Sequence, residues 1–329
     1  MSAVIVITVI LALTFDFING FHDTANSIAT AVSTRALSTR HAIIMAACMN
    51  FLGAVLFTGV AETIANDIVD LNTLSYGNYV LIAALISAIL WNLITWFFGI
   101  PSSSSHTLIG SLAGAALCNA GLSSIKWHGF ISILESLIFS PLIAFAAGYV
   151  MFSLFKIFFK NLNLHKSNNV FRKIQIVTAA VQSFSHGTND AQKSMGIITM
   201  SLVSAGFISA GHVPLWVQVS CAAAMAFGAS LGGWRIIKTV GTQIMKIRPV
   251  NGVAADMASA AVIFTASHVG LPVSTTHVIS SSIMGVGSAY RIRSVKWDTA
   301  RKMVTTWFIT IPISGCIAAG IFALMMIFV

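Results

Sequence analysis

The sequence predicts an all-α polytopic membrane protein made of two inverted-topology repeats of about five spans each, with broken helices and re-entrant helical tips. Three observations predict it. Hydrophobic residues make up 57% of the 329-residue chain and charged residues only 8%, with a mean hydropathy of +0.88, whereas a soluble domain carries about a quarter charged residues. Two polar strings interrupt the apolar sequence, and each returns once, about 167 and 171 residues later. The basic residues gather in four loops that share one side of the membrane when each half crosses five times.

Runs of about twenty apolar residues are long enough to cross a bilayer. Ten segments qualify, near residues 3 to 33, 42 to 61, 78 to 98, 99 to 121, 129 to 152, 174 to 206, 213 to 232, 250 to 269, 270 to 290 and 303 to 328. Those at 3 to 33, 99 to 121, 174 to 206 and 270 to 290 are interrupted by polar residues. The first has no basic flank and runs straight into a polar string, so it is read as a retained span rather than a cleaved signal peptide. The four cysteines lie in apolar stretches and read as small hydrophobes, not as a disulfide framework.

Charge placement sets the topology. Arg35 and Arg40 share one loop. Lys156, Lys160, Lys166, Arg172 and Lys173 share the central one, Arg235, Lys238, Lys246 and Arg248 a third, and Arg291, Arg293, Lys296, Arg301 and Lys302 a fourth. Of 18 basic residues, only Lys126 on the opposite side and Lys193 inside a span fall outside these loops. The positive-inside rule puts the loops in the cytoplasm and both termini outside. Five crossings per half invert the second repeat relative to the first. The expected divisions are a first repeat at 1–152, a short basic cytoplasmic linker at 153–173 and a second repeat at 174–329. Loop basicity of this kind follows from topology, so the net charge of +9 is no sign of nucleic-acid binding.

The first string, Gly20-Phe21-His22-Asp23-Thr24-Ala25-Asn26-Ser27, returns as Gly187-Thr188-Asn189-Asp190-Ala191-Gln192-Lys193-Ser194. An ionised carboxylate within a span needs a partner and marks an ion pathway. Gly20 and Gly187, three residues before the aspartates, are expected to unwind the backbone and free carbonyls for coordination. Carboxylate and amide oxygens from Asp23, Asn26, Asn189 and Asp190 suit a hard cation, with Na⁺ at Asp23, Asn26 and Asp190, or a proton on an aspartate. His22 and His186 flank the acids and tune them.

The second string, Pro101-Ser102-Ser103-Ser104-Ser105-His106, returns as Pro272-Val273-Ser274-Thr275-Thr276-His277. Proline suits the first turn of a helix, and a neighbouring Ser or Thr caps its free amides. A helix N-terminus offers those amides and a positive dipole end to an oxyanion. Two such tips from opposite faces would hold one tetrahedral anion between Ser102, Ser103, Ser104, Ser105 and Thr107 on one side and Ser274, Thr275 and Thr276 on the other, with Gln192 and Lys193 nearby. Hydroxyls also serve helix packing in bilayers, but the paired Pro and His positions favour binding. His106, His277, Glu62 and Asp256 are secondary candidates, as is Glu135.

These features describe a secondary transporter, whose site lies where repeats meet, and not an enzyme. An intramembrane serine hydrolase built on Ser105 and His106 lacks a nucleophile elbow and leaves the duplication unexplained. A passive anion channel leaves the buried aspartates without purpose. No cofactor is expected. The coupling ion is H⁺ or Na⁺, and the location is the plasma (inner) membrane, within lipid.

Asn19-Gly20-Phe21-His22-Asp23-Thr24-Ala25-Asn26-Ser27, Ser185-His186-Gly187-Thr188-Asn189-Asp190 and the two Pro-x-Ser-[Ser/Thr]-[Ser/Thr]-His strings resemble the duplicated signatures of the PiT-type inorganic phosphate transporters, most closely the bacterial branch. The resemblance covers nearly the whole chain. It implies phosphate uptake coupled to H⁺ or Na⁺, a homodimer, and essential aspartates matching Asp23 and Asp190. It also brings in relatives that carry a neutral divalent metal phosphate complex, and a branch that carries sulfate. Sodium-coupled members tend to show Asn-Asp-x-x-Asn in both halves. Here His22 precedes Asp23, and Lys193 stands where the second asparagine would be. A fixed ammonium can take the electrostatic role of a bound cation, so proton coupling is favoured. A family glutamate appears as Asp256, while its first-half counterpart falls near Leu85.

Overall fold

The computed structural model describes residues 3–70, 73–160, 164–209, 211–231 and 233–328. Among them the helices are α1 (Ala3–Ser33), α2 (Thr39–Leu56), α3 (Gly59–Asp67), α4 (Gly77–Phe98), α5 (Ser104–Ala120), α6 (Trp127–Phe158), α7 (Leu164–Asp190), α8 (Gln192–Ser204), α9 (Leu215–Leu231), α10 (Trp234–Lys238), α11 (Pro249–His268), α12 (Thr275–Arg291) and α13 (Trp297–Met325). The β-structure of these residues is a single bridge between Val69 and Ile125.

Seven of these helices, α1, α2, α4, α5, α6, α11 and α13, are long and apolar enough to cross a membrane. An eighth crossing arises if α9 and the helical stretch to Gln243, bent by 73°, form one broken span. Against the ten expected segments, seven or eight helices among the described residues have the length and apolarity of a span. The span expected at 174–206 divides into α7 and the 13-residue α8, and that expected at 270–290 contains the 17-residue α12. Neither α8 nor α12 is among the seven apolar spans. Instead they are enclosed by protein: α8 is buried from Gln192 to Leu202 and α12 from Thr275 to Gly287. The expected linker at 153–173 is mostly helix, with α6 running to Phe158 and α7 starting at Leu164; residues 161–163 lie outside the described ones.

The expected unwinding at Gly20 and Gly187 does not occur, since α1 is one helix of 31 residues through Gly20 and α7 continues through Gly187 to Asp190. The glycines act instead by close approach. A Cβ on Gly20 would strike the Met225 carbonyl and the Ala229 amide of α9, and one on Gly187 would strike the backbone of Asn50 in α2. Without a hydrophobic force between helices in lipid, small residues that let backbones touch hold helices together. Hydroxyl and amide side chains then meet across the seams.

Chain breaks occur elsewhere. α4 ends at Gly99, whose φ of +66° closes a left-handed C-cap on the carbonyls of Thr95 and Trp96, a conformation that favours glycine. α11 is followed by Gly270 with φ of +76°. Pro101 and Pro272 lie in the non-helical links that follow, ahead of the helices and not in their first turns as expected. Each link turns into a buried helix, α5 or α12. α5 packs against α13 and α4, while α12 packs against α6 and α11. One apolar cluster gathers around Phe15, Leu85, Leu108 and Ile198, a second around Ile28, Ile244, Ile263 and Ile283. Asp23 lies on α1 between Phe15 and Ile28, so the polar strings occupy the level between the two clusters.

Candidate functional site

Both serine-led tips are capped in the same manner. The Ser103 hydroxyl accepts from the His106 amide at 3.1 Å, and the Ser274 hydroxyl accepts from the His277 amide at 3.2 Å. These two serines start their helices, as capping residues should. The Thr107 hydroxyl turns back to the Ser103 carbonyl at 2.8 Å.

The remaining hydroxyls reach the aspartates. Thr275 donates to Asp190 Oδ2 and Thr276 to Asp23 Oδ1, both at 3.0 Å. Asn26 Nδ2 donates to Thr276 Oγ1 at 2.8 Å. From the other string, Ser104 Oγ accepts from Lys193 Nζ at 3.2 Å, and Lys193 Nζ lies 2.5 Å from Asp190 Oδ1. Ser105 donates to the Val273 carbonyl at 2.7 Å, tying one string directly to the other. Ser102 donates to Thr95 of α4 at 2.8 Å. Thus Asp23, Asp190, Lys193 and both serine-threonine tips form one buried cluster, with both carboxylates fully enclosed.

Each aspartate also has an imidazole. His22 Nδ1 lies 2.7 Å from Asp23 Oδ1, and His186 Nε2 lies 3.1 Å from Asp190 Oδ2 without the alignment of a hydrogen bond. Asn50 positions the second, its amide donating to Thr24 Oγ1 at 3.2 Å while its carbonyl oxygen meets His186 Nδ1 at 2.9 Å. Asp23 Oδ2 and Asn26 Oδ1 are buried oxygens without a hydrogen-bond partner. A buried acceptor in that state is costly unless a cation, proton or water meets it.

Two expected ligands are used differently. Asn189 Oδ1 accepts the Val273 amide at 3.2 Å while Nδ2 donates to Ser267 and Leu271, which fastens the 271–273 link. Gln192 joins backbones, accepting from the Ala61 amide and donating to the Thr188 carbonyl. The His106 and His277 rings lie 4.4 Å apart, and His277 stacks on Trp307 at 4.0 Å.

The other secondary acids are set apart from this cluster. Asp256 receives hydroxyls from Thr30 at 2.7 Å and Thr178 at 3.2 Å. Glu62 accepts from Thr58 and lines a pocket with Asn66 and Lys126. Glu135 lines a cleft between α6 and α11.

Three buried participants escaped the sequence reading: Asn50, Thr95 and Asp16, the last accepting from Ser194 at 2.7 Å. Asp16 carried a usable signal, an acid seven residues before Asp23 in the same apolar run. The other two are single uncharged residues in apolar helices.

A multi-pass helical chain whose enclosed centre joins two paired hydroxyl-bearing helix tips to buried carboxylates, a lysine and unsatisfied oxygens is an integral membrane transporter. The chain belongs to the phosphate transporter family, which matches residues 19–318, as the doubled strings imply. It is 61% identical over 325 residues to a Bacillus subtilis (strain 168) protein named "Probable low-affinity inorganic phosphate transporter", covering 98% of each chain. It is 45% identical to a protein of the same name from Rhizobium meliloti (strain 1021), covering 94% of this chain and 92% of that one. A solved structure titled "The sodium-dependent phosphate transporter" superposes with a TM-score of 0.90 at 26% identity, over 99% of this chain and 100% of that one.

Proposed function

We propose that the chain imports inorganic phosphate by cation symport, with H⁺ favoured over Na⁺. The observation that carries this reading is the pair of 3.0 Å bonds from Thr275 to Asp190 and from Thr276 to Asp23. A hydroxyl has one proton to donate. While it serves a carboxylate it cannot serve a phosphate oxygen. A cation or proton on the carboxylate releases the hydroxyl, and the anion then takes it, so the two solutes load together. Without the cation, two carboxylates face the anion and the Thr275 and Thr276 hydroxyls are held by them, so it is excluded.

The preference for H⁺ rests on Lys193, whose ammonium already occupies the cation position beside Asp190. Asp23 Oδ2 and Asn26 Oδ1 then receive the coupling ion in the first half. Alternating exposure follows by rocking of one set of helices against the rest about the fixed site, with 153–173 joining the 1–152 and 174–329 repeats on the cytoplasmic side and both termini outside. The repeated caps at Ser103 and Ser274 and the basic loops support that arrangement. The working unit is a homodimer in the plasma membrane, and the cargo is phosphate, free or as a neutral divalent metal complex.

The test is uptake of labelled phosphate by proteoliposomes under an imposed pH gradient without Na⁺, and under a Na⁺ gradient at equal pH. Accumulation driven by pH is expected, unaltered by excess sulfate. Accumulation driven by Na⁺ alone overturns the preference for H⁺, and accumulation under neither gradient overturns symport.

A further inference from the structure

We propose that Thr95 is the positioning residue that links phosphate at the first serine string to the cation-binding carboxylate of Asp23. The proposal rests on the symport reading above. Thr95 is buried in the last turn of α4, 2% exposed. Its hydroxyl is crowded: Ser102 Oγ donates to it at 2.8 Å, His22 Nε2 lies at 3.2 Å, and the carbonyls of Trp91 and Asn92 lie at 3.0 and 3.2 Å. The far side of the His22 ring contacts Asp23 at 2.7 Å, and Asp23 in turn accepts from Thr276. An unbroken chain of hydrogen bonds therefore runs from Ser102 through Thr95, His22 and Asp23 to Thr276, joining one anion tip to the other by way of α4 and α1.

Each hydroxyl in this chain has one proton and accepts at two lone pairs. When Ser102 turns its proton to a phosphate oxygen, Thr95 loses that donor, gives its own single proton to the Trp91 or Asn92 carbonyl, and accepts from His22. His22 then holds the Asp23 side of the site in the arrangement that goes with a bound cation. Conversely, with Asp23 unoccupied, Thr95 donates to His22 and keeps Ser102 donating to itself and away from the anion. The same exclusivity that ties Thr276 to Asp23 thus operates a second time, through an intermediary that touches neither solute.

The experiment is the half-saturating phosphate concentration in counterflow across proteoliposomes, with the driving cation at low and at saturating concentration. In the wild type, the cation is expected to improve apparent phosphate affinity by roughly 5- to 150-fold, the usual span of coupling between sites. In Thr95→Val, which keeps shape and removes the hydroxyl, that factor collapses toward one while counterflow itself persists. Thr95→Ser restores it. Should Thr95→Val fail to reach the membrane, Thr95→Ala, which removes the hydroxyl with a smaller side chain, is read in the same way. A full wild-type factor in Thr95→Val, or its loss in Thr95→Ser as well, overturns the link and reduces Thr95 to packing. A wild type with no cation effect on phosphate affinity overturns the symport reading, and the link with it.

Discussion

Thr276 donates to Asp23 across a sequence separation of 253 residues, and at the same time accepts from Asn26. One hydroxyl thereby unites an acid from the first half of the chain with the serine-threonine helix tip from the second. Neither half contains this contact alone. The duplicated strings have a mechanical meaning here, since each aspartate is served by a hydroxyl of the α12 tip while Lys193 reaches across to the α5 tip.

The Thr276 hydroxyl serves a charged acceptor, a bond worth about 1.5 to 3 kcal/mol. Thr276→Val is expected to lower kcat/KM for phosphate by roughly ten- to a hundredfold on that basis, while Thr276→Ser stays close to wild type. Initial uptake rates into proteoliposomes measure both. Equal loss in the two variants points to packing and not to the hydroxyl.

The two aspartates should respond differently to neutralisation. Asp23→Asn has no lysine partner to strand, so the protein folds and loses cation-driven uptake. Asp190→Asn leaves Lys193 buried and unpaired, which destabilises by about 3 to 5 kcal/mol. Thermal unfolding in detergent should show the deficit, and Asp190→Asn with Lys193→Met should recover stability without recovering transport.

Lys193→Gln removes the fixed ammonium 2.5 Å from Asp190 and leaves a carboxylate in need of a cation. Phosphate uptake in this variant is expected to gain stimulation by Na⁺ at constant pH. The wild type, measured beside it, should show less.

Gly20→Val forces α1 away from α9, since the added side chain meets backbone and not a movable side chain. Overpacking of this kind costs about 1 to 3 kcal/mol, read as a lowered melting temperature in detergent together with lost uptake. Gly320→Ala, where a Cβ meets open space, is the control and should match wild type.

The site was legible in the sequence wherever charge or repetition made a residue costly in lipid. Asp23, Asp190 and Lys193 stand out because a charge within a span must be matched, and the serine strings stand out because they recur with proline and histidine in register. Thr95 and Asn50 carry neither mark. A single hydroxyl or amide in an apolar helix reads as packing until a partner on another helix is known, and those partners lie 73 and 136 positions away. Gly20 misled for a related reason: a glycine before a polar string fits an unwound backbone and a close helix seam equally well, and only the presence of α9 against it decides. The segments at 174–206 and 270–290 contain α8 and α12, which are enclosed by protein, and hydropathy alone does not distinguish such burial from contact with lipid.

The packing of α5 against α13 and of α12 against α6 means that each string-bearing helix leans on a long helix from the opposite half. A chain cut between Phe158 and Leu164 would give two fragments, each presenting a string whose supporting surface belongs to the other. Such fragments should be rapidly degraded when made singly and regain phosphate uptake when made together, as a complementing pair and not as two small carriers.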